Sequence, residues 1–178
     1  SPALRAAAEL ELRRRRAERG PAATWASSLA RPKQLPPPGE WFVWLMLWGR
    51  GTGKTRTAGE WLDGEVRAGR TGKQVLIAGR TPSDVRDYAL HGAGGLLTNH
   101  PDIRHKSSER LLIWPNGVEG LIRSGANPEE FRGFSGDKAW LDEFAAWDYP
   151  EESWNNLMFG MREGTAPQIV IATTPRPI

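Results

Sequence analysis

The sequence Trp48-Gly49-Arg50-Gly51-Thr52-Gly53-Lys54-Thr55 decides the fold class of this chain of 178 residues. An apolar run at residues 41–48 leads into it, and a helix-favouring run at residues 56–63 follows it. A glycine-rich turn between a strand and a helix is the context of a phosphate-binding loop, where backbone N–H groups and the helix N-terminus face the phosphates. The stretch therefore predicts an α/β domain of the P-loop NTPase class.

The residue types of this loop suit a triphosphate. Its glycines let backbone N–H groups converge, Lys54 supplies a full positive charge, and the Thr55 hydroxyl is placed to bind Mg²⁺. Trp48 stands where the general pattern has glycine, so an ordinary glycine turn that contains a lysine is the alternative. The predicted nucleotide-binding residues are Gly49, Arg50, Gly51, Thr52, Gly53, Lys54, Thr55 and Arg56, and Gln34 is a candidate for an adenine contact.

The remaining apolar runs alternate with helical patterns. Thr81-Pro82-Ser83-Asp84 combines an N-cap residue with a proline at the first helical position, and Pro115-Asn116-Gly117 predicts a hairpin because Asn-Gly readily adopts positive φ. We therefore expect a mainly parallel sheet flanked by helices, with an antiparallel edge. The predicted strands span 41–48, 74–78, 111–114, 118–123, 138–141 and 168–172, and the predicted helices span 54–67, 82–90 and 150–161.

An acidic pair ends the predicted strand at residues 138–141. In an NTPase of the ASCE, RecA-like class, Asp142 would hold Mg²⁺, directly or through water, and Glu143 would orient and deprotonate the attacking water. The transferring phosphoryl group also needs a cation beyond Lys54, and Arg50 and Arg132 are the candidates.

Two threonines, Thr173 and Thr174, follow the last predicted strand. If this strand neighbours the one that carries the acidic pair, the threonines lie beside the γ-phosphate and would report its presence to the rest of the protein. A plain strand-end turn before Pro175 is the alternative interpretation.

The basic excess of the chain lies in its leading segment. Residues 1–40 carry eight Lys or Arg against four Glu, a net charge of +4, whereas the rest of the chain has a net charge of −1. Residues 3–19 favour a helix, and residues 24–40, with Pro36-Pro37-Pro38-Gly39, predict an extended lead-in to the first strand. This helical arm is expected to bind nucleic acid or an acidic protein surface, or to be a solvated charged helix.

Composition argues against several kinds of site. The chain has no cysteine, which removes disulfides and thiolate sites and favours an intracellular protein. Its longest apolar run, of eight residues, is far below the roughly 20 needed to span a bilayer, and no signal peptide pattern is present. The histidines lack the spacing of metal ligands. Core packing is expected for the tryptophans of predicted strands and helices, Trp44, Trp61, Trp140 and Trp154.

These motifs together resemble the ATPase domain of phage terminase large subunits, the DNA-packaging motors of tailed phages and related gene-transfer agents. The resemblance spans residues 31–178, and such proteins often carry arginine at the position of Arg50, which makes Trp48 less unusual. It rests on four stretches: Gly49-Arg-Gly-Thr-Gly-Lys-Thr-Arg-Thr-Ala-Gly-Glu-Trp61, Asn127-Pro-Glu-Glu-Phe-Arg-Gly133, Ala139-Trp-Leu-Asp-Glu-Phe-Ala-Ala-Trp147 and Ala172-Thr-Thr-Pro-Arg-Pro177.

The resemblance implies ATP and Mg²⁺ as cofactors and a role for each motif residue. Lys54 and Thr55 match the phosphate-loop residues, Asp142 the metal-holding residue and Glu143 the catalytic one. Arg132 resembles a trans-acting arginine finger, and Arg50 resembles a loop arginine that acts in cis. Thr173-Thr174-Pro175 resembles the motif that couples hydrolysis to movement.

The resemblance also implies a function for the assembled protein, namely ATP-driven translocation of double-stranded DNA into a viral procapsid. The implied partners are the portal protein, the small terminase subunit and further copies in a homo-oligomeric ring, expected to be a pentamer, in the host cell cytoplasm at the portal vertex and without a membrane. Full-length terminases continue into an RNase H-like nuclease. We therefore expect an arm at residues 1–40 and a C-terminally truncated ATPase domain at residues 41–178, without DNA cleavage.

Two other functions fit the same motifs. A helicase-like or repair ATPase would share the phosphate loop and the acidic pair. A non-catalytic fragment would use residues 1–40 to bind DNA, the portal or the small terminase subunit.

Overall fold

The computed structural model describes residues 25–162 and 166–175, and the chain divides into two compact units after Leu35. The helix predicted for residues 3–19 lies outside the described residues. The extended conformation predicted for residues 24–40 is wrong at two places, since Trp25–Leu29 forms a π-helical turn and Pro32–Gln34 a 3-10 turn. Proline at the first position favours the second turn, and the Gln34 side chain closes it by accepting a hydrogen bond from the Arg31 amide at 3.1 Å.

The second unit is built on a seven-stranded sheet with the strand order β1-β7-β6-β2-β5-β4-β3. The first five strands in this order are mutually parallel, and β4 and β3 form an antiparallel edge. The predicted sheet and its hairpin are therefore confirmed, whereas β3 was not predicted. The strands are β1 Val43–Leu47, β2 Gln74–Gly79, β3 Arg104–Lys106, β4 Leu111–Ile113, β5 Glu119–Ser124, β6 Lys138–Asp142 and β7 Gln168–Thr173.

In the described part of the chain, four α-helices accompany the sheet: α1 Lys54–Arg67, α2 Pro82–Asp84, α3 Leu96–Asn99 and α4 Pro150–Gly160. A π-helix at Val85–Leu90 continues α2, so the predicted helix at residues 82–90 is present with a wider second half. As expected, the Thr81 hydroxyl accepts a hydrogen bond from the Asp84 amide at 3.1 Å. Short 3-10 turns lie at Ser107–Glu109, Pro128–Phe131 and Phe144–Ala146. None of the described helices is long and apolar enough to cross a membrane.

The sheet separates two hydrophobic clusters, because successive side chains of a strand point to opposite faces. Val75 and Ile77 of β2 pack on the face covered by α1, and Leu76 and Ala78 pack on the face covered by α4. Trp44, Trp61 and Trp140 are buried on the α1 face, and Trp154 is partly buried on the other. The four tryptophans therefore serve packing, as their positions in the sequence indicate.

A buried carboxylate fastens α1 to the antiparallel edge of the sheet. Asp63 accepts hydrogen bonds from the indole Nε1 of Trp114 at 2.9 Å and from Nε of Arg67 at 2.7 Å. The Nδ1 atom of His100, just after α3, lies 3.3 Å from the same carboxylate. Asp63 and Trp114 are both buried, so the indole N–H of Trp114 depends on this carboxylate for its hydrogen bond.

Replacement of Asp63 by alanine tests this fastening. Asp63→Ala is expected to lower the free energy of unfolding by about 2–3 kcal/mol, because it leaves the buried indole N–H without an acceptor. Chemical denaturation with tryptophan fluorescence would measure the loss. Asp87→Ala is the matched control, since Asp87 pairs with Arg86 on the surface and its removal is expected to leave the midpoint unchanged. Equal midpoints for Asp63→Ala and the wild type would contradict the role of Asp63.

Candidate functional site

Parallel strands bring the predicted site residues to one edge of the sheet. Strands β1, β7 and β6 are consecutive in the sheet, with Leu47 paired to Thr173 and Asp142 paired to Ala172. The segments that follow their carboxyl ends are the phosphate-binding loop, Thr174 and Glu143. The threonine strand therefore neighbours the acidic strand, which is the condition under which the threonines would lie beside a γ-phosphate.

The loop between β1 and α1 needs glycine at two positions. Gly51 and Gly53 have φ angles of 72° and 88°, in the left-handed region that disfavours side chains. Gly53 is also the N-cap residue of α1, and its carbonyl accepts the Thr57 amide at 2.9 Å. The Thr52 hydroxyl donates to the Gly49 carbonyl at 2.8 Å. This arrangement turns the chain sharply from the strand into the helix N-terminus, where N–H groups are available to an anion.

Trp48 occupies its position without needing the freedom of glycine. It is not among the described residues with positive φ, and its amide donates to the Thr173 carbonyl at 3.3 Å, which extends the pairing of β1 with β7. The partly buried indole packs against the hydrophobic cluster of the α1 face. The bulky residue is therefore accommodated by the core.

The ammonium group of Lys54 lies at the centre of the site. Lys54 is buried, and its Nζ atom donates to the carbonyl oxygens of Trp48 at 3.0 Å and Gly49 at 3.1 Å and to the Thr174 hydroxyl at 3.1 Å. Its distance to Oε1 of Glu143 is 4.0 Å. One cation thus contacts the loop, the end of β7 and the residue after β6.

Glu143 is held in an unusual backbone conformation. Its φ of 49° is left-handed, which is uncommon for a residue with a side chain, and its amide donates to the Ala172 carbonyl at 2.6 Å. Both carboxylate oxygens are bound by Thr174, with Oε2 accepting from the amide at 3.1 Å and Oε1 from the hydroxyl at 3.0 Å. The side chain remains 46% exposed, so a water molecule can approach it.

Asp142 is the buried member of the acidic pair. Burial, and then the charge of Glu143, raise the pKa of Asp142 to about 7, although the ammonium of Lys54 acts in the opposite sense. A carboxylate in such surroundings favours a nearby cation, and a carboxylate with a hydroxyl such as that of Thr55 is a donor set that Mg²⁺ accepts. The side chains of Asp142 and Thr55 are therefore chemically suited to hold Mg²⁺, and their role as metal ligands stays a prediction. Among the described residues no group of three or more His, Asp or Glu is placed to hold a metal ion by itself, and Mg²⁺ held mainly by phosphate and water does not require such a group.

The two threonines occupy different surroundings. Thr174 contacts Lys54 and Glu143, as described above. Thr173 is buried, and its hydroxyl accepts from the Ala145 amide at 3.0 Å, in the 3-10 turn that follows Glu143. Thr174 therefore contacts the other site residues directly, whereas Thr173 stabilises the turn that follows Glu143.

The remaining predicted site residues have different surroundings. Arg50 is exposed on the loop, and Arg56 forms an ion pair of 2.6 Å with Glu60 along α1. Arg132 donates to Asn156 of α4 at 3.2 Å and pairs with Glu129 at 2.8 Å, with its side chain 65% exposed. Gln34 belongs to the first unit. Their contacts with nucleotide remain predictions.

A tryptophan behind the acidic pair was not predicted as part of the site. The buried Nε1 of Trp147 donates to the Asp142 carbonyl at 3.0 Å, which fixes the backbone of the pair. Its ring lies directly against Gly125, where an added Cβ would overlap the indole. The Gly125 amide donates to the Gly79 carbonyl at 2.9 Å, so the backbone there is fixed to β2. The sequence shows the two residues but not their contact.

Gly125→Ala tests this support. The new methyl group would force Trp147 to move, and the expected result is a loss of about 1–3 kcal/mol of stability together with a clear loss of any nucleotide turnover. Thermal unfolding and phosphate release would measure both. Gly64→Ala is the control, because a Cβ on that exposed residue of α1 meets nothing within 4 Å and is expected to raise stability slightly. A fully stable, unaltered Gly125→Ala protein would show that Trp147 tolerates displacement.

Structure comparison finds this fold in phage packaging proteins. The large terminase of a thermophilic bacteriophage in complex with ATP-γ-S matches with a TM-score of 0.59 and 13% identity over 84% of this chain and 36% of that one. The large terminase ATPase domain of Thermus phage P74-26 matches with a TM-score of 0.53 and 21% identity, over 77% of this chain and 60% of that one. The Phi-29 viral genome packaging motor assembly matches with a TM-score of 0.55 and 13% identity, over 82% of this chain and 46% of that one.

The chain thus spans between about a third and three fifths of the length of these structures. A comparison with curated proteins found no match. The family model of the T4likevirus-type terminase large subunit, N-terminal, matches residues 45–178, which is well over half of the chain and includes the phosphate loop, the acidic pair and both threonines. The chain therefore belongs to the terminase large subunit family, and its residues 45–178 correspond to the N-terminal part of that subunit.

Proposed function

We propose that this chain hydrolyses ATP and that hydrolysis drives the translocation of double-stranded DNA into a viral procapsid. The observation that carries the proposal is the hydrogen-bonded series Lys54–Thr174–Glu143 at the carboxyl ends of three parallel strands. It links the cation of a phosphate-binding loop to a carboxylate that water can reach. Membership in the terminase family supports this reading over that of a helicase or repair ATPase.

The proposed chemistry assigns a task to each residue of the site. The loop N–H groups and Lys54 bind the phosphates, and Glu143 orients the attacking water and accepts its proton. Asp142 and Thr55 would hold Mg²⁺, which supplies positive charge to the phosphate oxygens when bound. Thr52, Arg56 and Gln34 are proposed as further nucleotide contacts.

A second cation is proposed for the charge that develops on the transferring phosphoryl group. Arg50 is on the loop and exposed, so it can act on its own site in cis. Arg132 points to solvent beside α4, whereas Lys54 begins α1 on the other face of the sheet. We therefore assign Arg132 to the site of a neighbouring copy, as an arginine finger in a ring of subunits.

The proposed partners are double-stranded DNA, the portal protein, the small terminase subunit and further copies of the chain in a ring, with a pentamer as the expected state. The proposed location is the portal vertex of the procapsid in the host cell cytoplasm. Arg80 and Arg86 pair with Asp84 and Asp87, which reduces the net charge of that surface. The basic segment at residues 1–40, with a net charge of +4, is therefore the preferred candidate for contacting DNA or an acidic partner.

Glu143→Gln tests the assignment of the general base. The amide cannot accept the proton of water, so turnover is expected to fall roughly 10²–10⁴-fold while ATP still binds. Phosphate release and the binding of a fluorescent ATP analogue would measure the two properties. Glu109→Gln is the control, because Glu109 is exposed and pairs with Lys106 away from the loop. If Glu143→Gln turns over ATP at the wild-type rate, another residue is the base.

Arg132→Ala tests the action of the arginine in trans. Turnover of the assembled ring is expected to fall roughly 10³–10⁵-fold. Adding Glu143→Gln subunits, which still carry Arg132, is expected to restore part of the activity, because each variant supplies what the other lacks. Arg104→Ala, which changes another exposed arginine, is expected to behave as the wild type. Normal hydrolysis by Arg132→Ala in the absence of other subunits would show that the trans assignment is wrong.

A further inference from the structure

The ammonium group of Lys54 has three N–H donors, and protein oxygens accept from all three. Two of the acceptors are carbonyl oxygens of the loop itself, at Trp48 and Gly49, and the third is the hydroxyl of Thr174. A phosphate that binds Lys54 must therefore take at least one donor from these partners. Lys54 is buried, so a donor that loses its partner is not readily compensated by water.

The hydroxyl of Thr174 has a single proton, which points to Oε1 of Glu143. Its lone pair accepts from Lys54, and an O–H group that accepts a hydrogen bond from a cation becomes a stronger donor. The Thr174 amide binds Oε2 of the same carboxylate. Thr174 thus holds both oxygens of Glu143, and its hold through the hydroxyl depends on Lys54.

We propose that Thr174 is a positioning residue that acts as a latch between Lys54 and Glu143, released when a phosphate group takes an N–H donor of Lys54 away from the Thr174 hydroxyl. Once Lys54 turns to the phosphate, the hydroxyl donates less strongly to Glu143, and Oε1 becomes free to accept a hydrogen bond from water. Phosphate binding is thereby communicated to the general base. The inference rests on the proposed nucleotide binding and adds the route by which the base is released.

The latch makes a prediction that differs from direct contact between Thr174 and the γ-phosphate. In the latch, Lys54 leaves Thr174 for ADP as well as for ATP, so the latch opposes the binding of both. A hydroxyl that only contacts the γ-phosphate would strengthen ATP binding and have no effect on ADP. The affinity for ADP therefore separates the two roles.

Thr174→Val removes the hydroxyl and keeps the amide and the shape of the side chain. We expect the affinity for a fluorescent ADP analogue with Mg²⁺ to rise roughly three- to tenfold, because Lys54 then has a donor without a protein acceptor, which a phosphate satisfies. The kcat for ATP is expected to stay within about threefold of the wild-type value, because nucleotide binding already releases the hydroxyl contact to Oε1 and the Thr174 amide still binds Oε2. Thr174→Ser retains the hydroxyl and is expected to have the wild-type ADP affinity and kcat.

Thr98→Val is the matched control, since the Thr98 hydroxyl donates to the His91 carbonyl on the surface. Circular dichroism and thermal unfolding establish whether each variant is folded. If Thr174→Val is not folded, Thr174→Ser carries the test, and its ADP affinity and ATP turnover are expected to be those of the wild type. Unchanged or weaker ADP binding by folded Thr174→Val would overturn the latch, and so would altered ADP binding by Thr174→Ser. In both cases the proposed function stays intact as long as the wild-type protein binds ADP. A wild-type protein that binds neither ADP nor ATP would overturn both.

Discussion

The candidate site depends on the burial of one ammonium group between three segments of chain. Lys54 is the first residue of α1, and it is bound by the loop before it and by Thr174 after β7. A buried cation is stable only when its donors are satisfied, so the loop carbonyls and the threonine hydroxyl must converge on it. The parallel alignment of β1, β7 and β6 makes that convergence possible, because the three strands end at the same edge of the sheet.

The two acidic residues of the site have different surroundings, although they are adjacent in the sequence. Asp142 is buried in the last position of β6, and desolvation raises its pKa to about 7. Glu143 is turned out of the strand by its left-handed backbone, and Thr174 binds both of its carboxylate oxygens. Adjacent carboxyl groups thereby acquire separate properties, one suited to a cation and the other suited to a water molecule. Trp147 maintains this division, because its indole binds the Asp142 carbonyl and fixes the point at which the chain leaves β6.

Local sequence predicted the elements of the fold well, because each element has a signal in its own residues. Apolar runs gave β2, β6 and β7 nearly in full, and Asn116-Gly117 gave the hairpin. Contacts between distant residues had no such signal. The contact of Trp147 with Gly125, the hydrogen bond of Trp114 to Asp63 and the contact of Arg132 with α4 all depend on which elements become neighbours. The different surroundings of Thr173 and Thr174 likewise follow from the end of β7, where one side chain turns into the core and the next faces Lys54.

Trp48 shows how a departure from a motif can be interpreted physically. Within the loop, glycine is required at Gly51 and Gly53 because their φ angles are positive, whereas Trp48 has no positive φ and continues the pairing of β1 with β7. What the site uses at that position is the backbone carbonyl, which accepts from Lys54, and any residue supplies a carbonyl. The side chain is then free to serve the core of the α1 face, where the partly buried indole packs. The position is therefore constrained by the direction of the strand, and a bulky residue there adds packing to the core of the α1 face.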